Sequence, residues 1–132
     1  LTHEITDLLT KANIGQSTIV GIGGDRIIGT SYEAILHLFE KDKQTKAVVL
    51  IGEIGGVLEQ AAASYIKKMK KPVIAYITGM SAPPNKQMGH AGAIAYGEGQ
   101  TAQAKIKVLK AAGASVAKTP QEVVGLVKMH SL

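Results

Sequence analysis

His90 lies in the run Met-Gly-His-Ala-Gly-Ala over residues 88–93. Small neighbours let backbone amides approach a bound group closely, and glycines permit the positive φ of an anion-binding nest. Such a histidine can be a general base, a metal ligand, a nucleophile or a buried structural ring. His3, His37 and His130 are scattered, and no carboxylate pair stands at ligand spacing, which argues against a metal. No G-x-S-x-G elbow is present, so a serine triad lacks its nucleophile. A nucleophilic imidazole fits best: the neutral ring attacks a phosphoryl group, and the labile N–P bond passes it onward. That chemistry needs a carboxylate on the other ring nitrogen, amide donors for the phosphate, and a loop able to move. Glu53 can supply the carboxylate, fixing the tautomer and offsetting the imidazolium charge. A ring buried for structure is the competing reading, and Glu53 on a neighbouring turn weighs against it.

The elements that must position these two residues are legible as alternating blocks. Residues 17–22 (STIVGI), 47–51 (AVVLI), 73–77 (VIAYI) and 114–117 (ASVA) are short and apolar without polar alternation, as strands covered on both faces read. Between them, 31–41, 57–70 and 102–112 space apolar residues at helical intervals. Residues 1–12 and 120–129 read as two further helices. Thr30 with Glu33 suggests a capping box, Gly113 a left-handed stop, and Thr119, Pro120 and Glu122 a helix start. Strands alternating with helices of this length predict an α/β fold, a flavodoxin-like doubly wound parallel sheet. All 132 residues read as one domain, without linker, repeat or low-complexity tract. The chain opens on a helix with no strand before it. In a 2-1-3-4-5 order the first strand is central, so its absence predicts a gap between its neighbours. The expectation is a piece of a longer protein, or a strand supplied by another chain.

Three glycine-rich turns follow the first three strands: 21–25, 52–56, and the long segment 78–100. Ligands bind at the carboxyl ends of strands in an open parallel sheet, so the three turns should converge on one edge. A connection of more than 20 residues without regular structure is usually functional, and this one carries Pro83, Pro84 and His90. A weaker phosphate signal is 97–102 (GEGQTA), which fits G-x-G-x-x-A. The acidic ribose partner expected about 20 residues on is missing, because Lys118 and Thr119 hold that zone. No dinucleotide site is therefore expected here, and Thr101 reads as an N-cap.

Composition bounds the rest. The chain is 45% hydrophobic and 19% charged, a globular mixture that excludes disorder, collagen and coiled coil. It has 15 glycines, no tryptophan and one phenylalanine, so the core is aliphatic. Without cysteine there is no thiol nucleophile, thiolate zinc site or iron–sulfur cluster. Fifteen lysines and arginines against ten acids leave a net charge of +5, with Arg26 the lone arginine. Few rings and no arginine forks argue against nucleic acid. The cluster Lys67, Lys68, Lys70 and Lys71 reads as a helix C-terminus whose cations answer its dipole. No run reaches the roughly 18 apolar residues of a membrane span, and no secretory pattern opens the chain. The expected location is the cytoplasm, or the mitochondrial matrix in a eukaryote.

The string MGHAGAI at 88–94, with GIGGD at 21–25 and GEIGG at 52–56 upstream, resembles the second, flavodoxin-like domain of succinyl-CoA synthetase (succinate–CoA ligase) α-subunits. Three co-linear motifs at these intervals are specific, and the likeness runs the length of the chain. What it implies is a phosphoryl relay. Phosphate attacks succinyl-CoA, the resulting succinyl phosphate phosphorylates a histidine, and the phosphohistidine loop delivers the group to ADP or GDP. By this resemblance His90 is the phosphorylated histidine, Glu53 holds its ring, and Gly89, Ala91 and Gly92 form the phosphate loop. The phosphate itself rests on two helix N-termini, one from each subunit. His3 stands where the family usually has a tyrosine near the succinate site, so it is the candidate substrate-binding residue.

The implied partners are an ATP-grasp β-subunit, the N-terminal CoA-binding domain of the α-subunit, and succinate or succinyl phosphate. No cofactor is expected on this domain. CoA and the magnesium complex of ADP/ATP or GDP/GTP belong to the intact enzyme, and the piece alone should not turn over. The alternatives are a domain of an ADP-forming acetyl-CoA or citryl-CoA synthetase or ATP-citrate lyase, or a non-catalytic flavodoxin-like binding module.

Overall fold

The computed structural model describes residues 1–25 and 27–131, and Arg26 lies outside them. The elements run α1 (Thr2–Lys11), α2 (Tyr32–Lys41), β1 (Val48–Gly52), α3 (Leu58–Ile66), β2 (Val73–Ile77), α4 (Ala102–Ala111), β3 (Ser115–Ala117) and α5 (Pro120–Ser131), with a short 3-10 turn at Glu98–Gln100 before α4. The strands are parallel in the order β1-β2-β3. Val48 faces Val73, Gly52 faces Ile77, and Ile74 faces Ser115.

Period-two alternation sends successive β2 residues to opposite faces, and each face is covered by helices. On one face Ile74 packs with Ile5 and Leu9 of α1 and Val123 and Val127 of α5. On the other, Val73, Ala75 and Ile77 pack with Leu36 of α2, Ala62 and Ile66 of α3, and Leu109 of α4. Helices on both faces of a parallel sheet make this the flavodoxin-like, doubly wound arrangement that the alternating blocks predict.

Polar side chains fix where the helices start. Thr101 Oγ1 accepts from the Ala104 amide at 3.2 Å, so the threonine is the N-cap of α4, as expected. At α5, Thr119 Oγ1 accepts from the Glu122 amide at 3.2 Å, while Glu122 reaches back to the Lys118 amide at 2.7 Å. At α2 the capping residue is Ser31, whose Oγ accepts from the Ala34 amide, so the Thr30–Glu33 box is corrected by one residue. The third helix stops at Ile66 rather than Lys70, and α5 runs to Ser131 rather than about Met129. Beyond α3 the Lys70 and Lys71 amides donate to the Glu40 carboxylate, and Lys71 Nζ donates to the carbonyls of Phe39 and Asp42. A lysine of the basic cluster thus answers the carbonyl end of α2, two elements away.

The expected first strand at 17–22 does not join the sheet. Among the described residues this segment has no ladder bonds, and Ile19 and Val20 are 49% and 38% exposed. The cause is the missing neighbour. The Val48 amide donates to Pro72, and the Gly52 carbonyl accepts from Thr78, so 48, 50 and 52 point toward β2. A parallel strand alternates its bonding sides, which turns Val49 and Ile51 toward the other edge. There, in place of a strand, lies a cavity of about 1420 Å³ bounded by residues 14–25, α1 and β1. Residues 17–22 line the same cavity as β1 and, among the described residues, make no backbone hydrogen bond to it.

Candidate active site

The carboxyl end of β1 leads straight into the turn carrying Glu53. The carboxyl end of β2 leads into residues 78–97, which hold no helix or strand and carry His90. Within that loop the Met88 amide donates to the Ala93 carbonyl at 3.0 Å and the Ala93 amide donates to the His90 carbonyl at 3.0 Å. These bonds make a tight turn with His90 at its tip, and Gly89 takes φ +82° to close it. Gly92 lies against the ring, where an added Cβ would stand 3.2 Å from His90 Cε1, while Gly89 and Ala91 flank His90 in the chain.

The two candidate residues meet. His90 Nε2 stands 2.6 Å from Glu53 Oε1, with the two side chains 49% and 31% exposed. An Nε2–H donates to the carboxylate in this arrangement, which leaves the ring's lone pair on Nδ1. That nitrogen accepts from the Gly92 amide at 3.2 Å. The imidazole is thus oriented on both sides, with half its surface open to solvent and to the cavity it lines.

The third glycine turn reaches the same point. A Cβ added to Gly24 would stand 2.7 Å from Glu53 Oε1 and 3.0 Å from His90 Cε1, and one added to Gly92 would collide with the Gly24 carbonyl. Gly55, at φ +88°, presses its α-carbon against the Gly92 carbonyl, where no side chain fits. The turns at 21–25, 52–56 and 78–100 therefore pack on one another through glycine, at the carboxyl edge of the sheet. His3 is not brought to this site. It is exposed on α1, whose Thr2, Ile5 and Thr6 line the cavity while His3 does not. The other histidines are engaged elsewhere: His37 Nδ1 with the Tyr65 hydroxyl at 2.9 Å, and His130 Nε2 with Ser115 Oγ at 2.8 Å.

Behind Glu53 lies a network that the spacing of residue types does not reveal. Glu59 on α3 and Lys105 on α4 form a buried ion pair at 2.5 Å. Tyr32 on α2 donates its hydroxyl to the Ile51 carbonyl at 2.7 Å. Burial, then the nearby Glu59 and Glu53 carboxylates, hold its phenol well above the usual tyrosine range, so it stays protonated. A lysine at helical spacing reads as solvated surface in a sequence. Only the fold shows that Lys105 points inward, toward a turn 50 residues upstream.

A histidine–carboxylate pair on glycine turns at the carboxyl edge of a doubly wound sheet defines a class: α/β domains that present an exposed, carboxylate-held imidazole from a loop. The CoA-ligase family model matches residues 1–115, and the chain belongs to that family. It is 61% identical over 127 residues to subunit α2 of the ADP-forming succinate–CoA ligase of Archaeoglobus fulgidus, covering 96% of this chain and 44% of that one. It is 52% identical over 124 residues to the corresponding α-subunit of Staphylococcus aureus, covering 93% of this chain and 41% of that one. Among solved structures, ATP citrate lyase of Methanosaeta concilii in complex with (3S)-citryl-CoA superposes with a TM-score of 0.69 at 33% identity, over 82% of this chain and 20% of that one. The chain thus spans less than half the length of the curated relatives it matches. Among the described residues, no helix is long and apolar enough to cross a membrane.

Proposed function

We propose that this chain is the phosphohistidine domain of a succinate–CoA ligase α-subunit, and that His90 carries the phosphoryl group between succinyl phosphate and a nucleoside diphosphate. The observation that carries the reading is the 2.6 Å contact between His90 Nε2 and Glu53 Oε1 at an exposed loop tip. The identity to succinate–CoA ligase α-subunits supports the choice of succinate over the acetyl or citryl alternatives.

Neutral His90 attacks phosphorus with the lone pair of the nitrogen that Glu53 leaves free. The new N–P bond forms as the bond from phosphorus to the acyl oxygen breaks, and succinate leaves as the carboxylate. Both ring nitrogens are then substituted, one by hydrogen and one by phosphorus, so the ring carries a positive charge. Glu53 offsets that charge while still accepting the Nε2–H. In the second half the terminal oxygen of the diphosphate takes the phosphoryl group, the N–P bond breaks, and the ring returns to neutrality. Gly92 must release Nδ1 for the attack, which a loop free of helix and strand permits.

Magnesium would accompany the nucleotide. Among the described residues no three of His, Asp or Glu come together as a cation site, so no step is assigned to a metal on this chain. The nucleotide site belongs to a β-subunit, and CoA to the part of the α-subunit outside these residues. A strand from outside these residues would fit the slot beside β1, a reading supported by relatives more than twice this length. The test uses the intact α- and β-subunits with γ-labelled ATP or GTP. Acid-labile, base-stable label is expected on wild-type α-subunit and absent from His90→Asn; equal labelling of both overturns the reading.

A further inference from the structure

We infer that Lys105 and Glu59 are positioning residues for Glu53, and through Glu53 for His90; the inference rests on the phosphohistidine reading above. The pair ties down both ends of one turn. Glu59 Oε1 accepts from the Glu53 amide at 3.1 Å, while Lys105 Nζ donates at 2.5 Å both to Glu59 Oε2 and to the Gly55 carbonyl. The first amide and the last carbonyl of residues 53–55 are therefore held by one ion pair. Its two members come from α3 and α4, the helices that follow β1 and the His90 loop. Gly55 is also the point where the turn meets that loop, through the Gly92 carbonyl on one side and a 2.9 Å bond from its amide to the Gln100 carbonyl on the other.

The burial of this pair needs a reason. Lys105 is fully buried and the Glu59 side chain is 6% exposed. Removing two charges from water is costly, and an apolar pair of similar volume commonly serves stability as well or better. The ions do what an apolar pair cannot, which is to aim an amide and a carbonyl in fixed directions. Gly52 leaves room for this: a Cβ there would stand 2.5 Å from Glu59 Oε1. With the Glu53 backbone fixed, its carboxylate is presented to His90 in one orientation.

The test compares Lys105→Met, and the charge-free double variant Lys105→Met/Glu59→Leu, in the intact α–β enzyme. Each is measured in the wild-type background and with Glu53→Gln. Lys105→Met is expected to slow His90 phosphorylation about a hundredfold, the scale of a small misplacement of a reacting group, with KM for the nucleotide unchanged. In the Glu53→Gln background the same substitution should cost no more than about twofold, because the residue it positions is already disabled. Unchanged phosphorylation, or an equal loss in both backgrounds, overturns the inference. If Lys105→Met alone does not fold, the double variant, which leaves no buried charge unpaired, is held to the same two outcomes. Absence of label on His90 in the wild-type enzyme would instead overturn the parent reading and this inference with it, so the two failures are distinguishable.

Discussion

A lone histidine in a glycine loop has several possible meanings, and the geometry around His90 narrows them. The ring is half exposed rather than sealed in the core, a carboxylate holds one nitrogen, and glycine packs wherever the three turns touch. Glu53 and His90 were both legible from the sequence, because a histidine among small residues and an acid on a strand-end turn are unusual. Gly24 was not singled out, since nothing in a glycine run says which member abuts the His90 ring. Its position makes a clean test. Gly24 does not use a positive φ, so Gly24→Ala places a methyl against Glu53 Oε1 without backbone strain. The melting temperature should stay within a few degrees, while His90 phosphorylation falls about 10- to 100-fold, as when an orienting partner is displaced. Full activity in Gly24→Ala would show that the Glu53–His90 contact is dispensable.

At the scale of elements, β2 was read to the residue, and the other strands and helices that formed lie within a few positions of the pattern. Apolar runs bounded by glycine, proline and capping residues are local signals, and local signals survive folding. What failed was the strand at 17–22, whose formation depends on a neighbour and not on its own composition. The end of α3 also moved: the Lys68 and Met69 amides close tighter turns on Tyr65 and Ile66, and the Lys70 and Lys71 amides go to Glu40 of a different helix. Another cap carries a pH signature. Asp42 closes α2, and its carboxylate accepts from Thr45 Oγ1 at 2.6 Å and from the Gln44 and Thr45 amides, while Ser17 Oγ bonds Thr45 Oγ1. The Thr45 hydroxyl first, then the Gln44 amide, hold the Asp42 carboxyl below the usual range. A depressed carboxylate stabilises the fold above its unfolded pKa and loses that contribution as pH falls through the folded value. Wild-type protein should therefore melt higher than Asp42→Asn at neutral pH, and the gap should close below about pH 4. A gap that persists or widens in acid would contradict this assignment of the cap.

For the whole molecule, the sheet and the cavity beside it belong together. The order β1-β2-β3 with helices on both faces accounts for three strands of a doubly wound sheet. The cavity of about 1420 Å³ lies where a further strand would pair with β1, and its far end reaches Glu53 and His90. A strand seated there would finish its course at the candidate site, as the carboxyl ends of β1 and β2 do. The gap itself was foreseeable, because a doubly wound order places the first strand centrally. Its continuity with the site was not, since that depends on how residues 14–25 run past the gap. Amide exchange reads this directly. In the intact enzyme the Val49 and Ile51 amides should be protected as strongly as those of β2, whereas in the 132-residue chain they should exchange far faster. Equal exchange in the two would mean that the slot stays empty.

If the His90 imidazole holds a phosphoryl group in transit, phosphorus NMR of the intact enzyme will see it. After incubation with nucleoside triphosphate, the wild-type spectrum should gain a single phosphoramidate resonance. Succinate with CoA, or nucleoside diphosphate alone, should discharge it, and the His90→Asn enzyme should never show it. A resonance that persists in His90→Asn, or a wild-type enzyme that turns over without forming one, would rule out His90 as the carrier.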